Sequence, residues 1–96
     1  MASVELSGAA DQDLAEIYSY MHRQFGAQNA EIYVVSLENC FEWLAQRPIR
    51  GKPVGYLRAG YLRFEYAGHT IWYVEVADGV RIMRVLPGRL DPERRI

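Results

Sequence analysis

Four cations and a set of aromatic hydroxyls are the side chains best suited to chemistry here. Lys52, Arg58, Arg63 and Arg84 lie in the second half of the chain, where their charges would suit a phosphate or a carboxylate. Cutting RNA by attack of its own 2′-hydroxyl needs such cations together with a general base and a general acid. The base and the acid are harder to find. The two histidines are His22, inside a helical pattern, and His69, at the start of a strand pattern. The first reads as an exposed helical residue, the second as a strand-end side chain bonded to backbone. Tyr56, Tyr61, Tyr66 and Tyr73 are further candidate acids, but strands favour aromatic residues whatever their task. After Arg84-Val85-Leu86 the chain continues Pro87-Gly88, and proline carries neither a titratable group nor a backbone N–H. Arginines and aromatics without a titrating pair suit a binding surface, for which no cofactor is expected.

The elements that must position these residues follow from periodicity. Val4 to Leu6 alternates briefly, as a first strand would. Ser7 can cap a helix, and Asp11 and Asp13 sit in or near its first turn, where acids suit the helix dipole. Leu14, Ile17, Tyr18, Met21 and Phe25 then mark one apolar face, and Gly26 is placed to end the helix as a left-handed cap. Ala30, Tyr33, Val34, Leu37, Cys40, Phe41 and Leu44 mark a second helix, which Pro48 stops. The two form an antiparallel hairpin. Residues 48–60 hold two prolines, three glycines and three basic residues, which reads as a basic loop.

Tyr61 to Tyr66, Thr70 to Val76 and Val80 to Leu86 read as strands, with Ala67-Gly68 and Asp78-Gly79 as hairpin turns. Strict alternation in the last strand puts Val80, Ile82, Arg84 and Leu86 on one face and Arg81, Met83 and Val85 on the other. Trp72 is expected on the sheet face away from the helices. The expected architecture is α+β: an N-terminal strand, then an antiparallel two-helix hairpin packed on a mostly antiparallel sheet with a C-terminal three-strand meander. Residues 1–96 read as one domain, with the tail 87–96 flexible or ordered only by a partner.

Composition narrows the classes further. A single cysteine, Cys40, forms no internal disulfide and fits a reducing compartment. No apolar run reaches the roughly 18 residues of a membrane span, and no basic-then-apolar leader opens the chain, so the cytoplasm is expected. Net charge is only −1, but it is unevenly spread: residues 1–46 carry seven acids and one base, residues 47–96 ten bases and five acids. One half therefore suits an acidic partner better than the other.

Several short motifs, in order along nearly the whole chain, resemble the RelE/ParE toxin superfamily and its ParE branch more closely. They are Leu6-Ser7 with Ala10, Asp13-Leu14 and Ile17; Phe25-Gly26 with Ala30 and Tyr33; Leu44 with Pro48 and Gly51; Leu57-Arg58 with Gly60 and Arg63; His69, Ile71 and Tyr73; and Ile82 with Arg84-Val85-Leu86 and Asp91. The resemblance implies the toxin of a type II toxin–antitoxin system. ParE-type members poison DNA gyrase and block replication, whereas RelE-type members cut messenger RNA on the ribosome. Both are neutralised by an antitoxin, here a ParD-like one, whose C-terminal segment wraps the toxin, and operator DNA would be met only through that antitoxin. RelE-like nucleases commonly place a tyrosine or histidine just after the last strand, where this chain has Pro87, and many ParE relatives carry histidine there. The gyrase reading is therefore preferred, with a RelE-like nuclease and a non-toxic antitoxin-binding scaffold as alternatives. Arg58, Arg63, Arg84, Tyr18 and Tyr33 are the candidates for antitoxin or target binding, and Lys52, Arg89, Arg94 and Arg95 for gyrase. Arg63 and Arg84 could instead pair internally with Glu65 or Glu75. A groove lined by Tyr18, Tyr33, Val34 and Trp43 could take a partner helix, and a free sheet edge a partner strand.

Overall fold

A computed structural model describes residues 2–88. The elements run β1 (Ser3–Leu6), α1 (Gly8–Phe25), α2 (Ala27–Gln46), a 3-10 turn (Pro48–Arg50), β2 (Lys52–Pro53), β3 (Tyr61–Tyr66), β4 (His69–Val76) and β5 (Gly79–Pro87). The sheet order is β1-β5-β4-β3-β2. All its pairs are antiparallel except β1 with β5, which run parallel because the helical hairpin carries the chain back between them. The expected α+β arrangement is the observed one.

Local signals account for most of the boundaries. Ser7 caps α1, its hydroxyl accepting the Ala10 N–H at 3.0 Å. Gly26 alone joins the helices, but not as the expected left-handed cap. Its φ is 89° and its ψ 167°, a conformation open to glycine that swings the chain directly into α2. The turn Ala67-Gly68 has positive φ at both residues, matching the twist of the β3–β4 hairpin.

Two hydrophobic clusters sandwich the sheet. Leu14 and Ile17 of α1 and Leu37, Phe41 and Leu44 of α2 pack on Ile71, Tyr73, Val80, Ile82 and Val85. On the opposite face Val54, Tyr61, Trp72 and Leu86 form a smaller cluster, with Leu57, Val74 and Met83 against it. Trp72 is thus on the face away from the helices, as its alternation implied. The apolar face of α1 is narrower than the periodicity suggests, since Tyr18 and Phe25 are exposed.

Pro87, expected to open the tail, is instead the last residue of β5, and two further features depart from the sequence reading. The basic loop contains a strand: Lys52 pairs with Arg63 and Pro53 with Leu62. Two residues, one of them proline, carry no periodicity to reveal it. The last strand also does not alternate strictly. Trp72 is paired with Arg84 but Tyr73 with Ile82, so Met83 is an extra residue, a β-bulge. Beyond it the parity reverses. Val80, Ile82 and Val85 enter the helix-side core, while Leu86 joins the opposite cluster and Met83 packs on it.

The parallel pairing leaves no room beside Gly79. A Cβ there would overlap the backbone of Ser3, its partner in β1. Gly79→Ala is expected to destabilise the fold by about 1–3 kcal/mol, the cost of overpacking. Urea unfolding measures it, and an unchanged midpoint would refute the close parallel contact.

Candidate functional site

Three of the charged residues nominated from the sequence, Lys52, Arg63 and Arg84, lie on the sheet. Lys52, Arg63, Trp72 and Arg84 are successive register partners across β2, β3, β4 and β5, so they form one row. Lys52 is exposed. The Arg63 guanidinium lies 6.0 Å from the Trp72 ring and pairs with Glu65 at 2.8 Å. Glu65 was one of its two foreseen internal partners. This pair is largely solvated, with Glu65 68% exposed, and contributes little to stability. Arg58, in the turn before β3, lies 5.7 Å from the Tyr61 ring. The Trp72 indole N–H is buried and meets no acceptor among the described residues. Arg89, Arg94 and Arg95 lie outside the described residues.

Arg84 has a partner that the sequence reading did not name. Its Nε donates to Asp13 Oδ2 at 2.7 Å and its Nη2 to Asp13 Oδ1 at 2.9 Å, a bidentate pair. The same Oδ2 accepts the Val85 N–H at 2.9 Å. Asp13 is 7% exposed and Arg84 26%. Asp13, through its hydrogen bond first, holds the Arg84 guanidinium above its ordinary basicity. Charge reversal at Arg84 would set a carboxylate against Asp13, and so would disturb folding before it reported on binding. One signal in the sequence points to this pair. Asp13 lies on the buried side of α1 with Ala10, Leu14 and Ile17, where a carboxylate must be satisfied.

The two nominated tyrosines make separate contacts. Tyr18 is exposed on α1 beside His22, their ring centroids 6.0 Å apart. Tyr33 is turned inward. Its hydroxyl lies 2.6 Å from His69 Nδ1 and donates to the Ala67 carbonyl at 3.0 Å, tying α2 to the β3–β4 turn. His69 is therefore bonded to a tyrosine and not to backbone. Burial lowers its pKa, so it is neutral near pH 7. Tyr73, another candidate acid, is fully buried, donates to the Pro48 carbonyl at 2.7 Å, and has its pKa pushed up to about 12 by desolvation.

On the outer side of α2, Arg50 lies 4.3 Å from the ring centroid of the 41%-exposed Trp43 and donates to its carbonyl. Phe64 completes that cluster, its ring centroid 5.2 Å from that of Trp43. The geometry offers arginines and aromatics held in place by neighbours, a composition common at binding hot spots.

Comparison with known proteins agrees with this fold. Residues 4–92 match the family described as ParE toxin of type II toxin-antitoxin system, parDE. Toxin ParE1 of Caulobacter vibrioides is 36% identical over 86 residues, covering 90% of this chain and 88% of its own. Toxin ParE1 of Mycobacterium tuberculosis is 30% identical over 92 residues, covering 95% of this chain and 94% of its own. A solved structure described as the chromosomal ParDE TA system from P. aeruginosa superposes with a TM-score of 0.75 over 91% of this chain and 96% of that one, at 19% identity. The chain belongs to the ParE toxin family of type II toxin–antitoxin systems. Among the described residues no helix is long and apolar enough to cross a membrane.

Two measurements probe the site. Asp13→Ala should destabilise the protein by about 3 kcal/mol, because it leaves a part-buried guanidinium without its carboxylate. A double-mutant cycle with Arg84→Met should return a coupling of at least about 1 kcal/mol, and additive effects would dismiss the pair. His69 gives a pH signature. The unfolded chain takes up the imidazole proton near 6.5, whereas the folded state resists it. The stability from a neutral His69 is thus complete above about 6.5 and declines as pH falls toward the lowered value. His69→Gln should lose less stability than the wild type between about pH 7.5 and 5.5; identical profiles would contradict the shift.

Proposed function

We propose that this chain acts on DNA gyrase as a protein inhibitor in the bacterial cytoplasm, and that a ParD-like antitoxin neutralises it. Membership of the ParE family carries the reading. The state of the candidate acids and bases supports it. His69 is neutral and bonded to Tyr33, Tyr73 is buried on the Pro48 carbonyl, and Pro87 fills the position after Leu86. A protein inhibitor asks for none of these groups to titrate. It asks for anchored arginines and aromatics, which Arg58, Arg63 and Trp43 offer, with Lys52 exposed beside Arg63.

The antitoxin is drawn from the same family relation, since toxins of type II systems are paired with one. Its contacts are proposed for Tyr18 and the row containing Arg63 and Arg84, with operator DNA reached only through it. Arg84 would serve there from within its Asp13 pair. Purified protein should inhibit gyrase supercoiling, or stabilise the cleaved complex, and leave ribosome-bound messenger intact. Codon-specific cuts with unaffected supercoiling would establish the RelE-like alternative instead. Induction of the chain without a partner should arrest growth, and continued growth would favour a non-toxic scaffold.

A further inference from the structure

Between α1 and the far half of β5 runs an open cleft of about 490 Å³. It opens there because β1 pairs only with residues 79–82 of β5. Ile17, Met21 and Tyr20 line it from α1, and His69, Leu86 and Pro87 from β4 and β5. Tyr20 is 54% exposed on its rim, an aromatic ring without a packing duty in the core. Among the described residues, the charged groups lining the cleft are Asp13, Glu16 and Arg84, with His69 neutral.

Those charges select the kind of guest. Asp13 takes both forks of the Arg84 guanidinium, so an anion entering the cleft would gain from Arg84 only by competing with a carboxylate already in place. Glu16 is exposed and adds a second negative charge beside the pair. The cleft is therefore net negative although an arginine lies in it. The lining between the charges is apolar and aromatic, as in a groove that seats alternate side chains of a peptide.

We propose that the α1–β5 cleft is a docking site for a segment of a protein partner that carries lysine or arginine between apolar residues. Its cation meets Glu16, and its apolar side chains rest on Ile17, Tyr20 and Met21. This polarity is opposite to that of the Lys52–Arg63 row, so one partner chain could engage both surfaces only by presenting opposite charges to them. The inference is independent of gyrase, and its failure would leave that reading untouched.

The test uses the ¹⁵N-labelled full chain and two acetylated, amidated probes, the pentapeptides Leu-Arg-Leu-Arg-Leu and Leu-Glu-Leu-Glu-Leu. The arginine peptide should shift the amide resonances of Glu16, Tyr20, Met21, His69 and Leu86. The glutamate peptide should leave them in place. Glu16→Gln, on an exposed helix face, should keep the spectrum of the folded protein and weaken the arginine peptide by about fivefold, the scale of a solvated charge pair. Tyr20→Ala should weaken it as well. Absence of shifts, equal binding of the glutamate peptide, shifts confined to residues 52–60, or undiminished affinity in Glu16→Gln would each overturn the proposal.

Discussion

One carboxylate holds the last strand in the shape the rest of the molecule needs. Asp13, carried on α1, accepts two bonds from Arg84 and one from the Val85 amide, just past the bulge at Met83. Ser7, six residues earlier, takes the other side of the bulge. Its hydroxyl donates to the Met83 carbonyl at 2.8 Å and its amide to the Ile82 carbonyl at 2.9 Å. The N-terminal end of one helix thus grips the irregular point of one strand through two side chains. A bulge leaves backbone groups out of the ladder, and here α1 satisfies them. The reversal of parity that results lets Val85 close the helix-side core while Leu86 closes the opposite one.

A chain of this length buries too little surface for one face of the sheet to be left bare. Hence the segment after α2, despite its glycines and prolines, is bound closely. Gly51 sits where any Cβ would strike the Tyr73 hydroxyl, and Tyr73 reaches past it to the Pro48 carbonyl. Val54 then enters the second cluster fully buried. The basic residues of this segment stay at the surface while Val54 and Leu57 anchor it from below. Positioned arginines and lysines follow from packing beneath them, which is how a small fold can present a binding surface of fixed shape.

What was legible in the sequence was what is local. A serine before an amphipathic stretch, a proline after one, and glycine-containing pairs between β-rich runs act over a few residues. They located both helices and three of the five strands closely, and the first strand to within a residue. The ordered motifs located the family. The unforeseen features are non-local. Asp13 and Arg84 are 71 positions apart, and only the assembled fold brings them together. The bulge is invisible to alternation because alternation presumes its absence. β2 exists because β3 is there to pair with it. For the same reason Tyr33 was read as a groove residue, whereas the turn of the distant hairpin claims its hydroxyl.

The grip of Asp13 on Val85 also bears on how this protein behaves in a crowded solution. Ladder alternation turns the backbone of Val85 and Pro87 outward, past the end of β1. A strand end left unpaired in that way would ordinarily recruit another copy of itself. Here the Val85 donor already bonds Asp13, and Pro87 has no donor at all. The stretch offers an incoming strand no free donor at either position, so this flank of the sheet disfavours the self-pairing from which aggregates and fibrils begin.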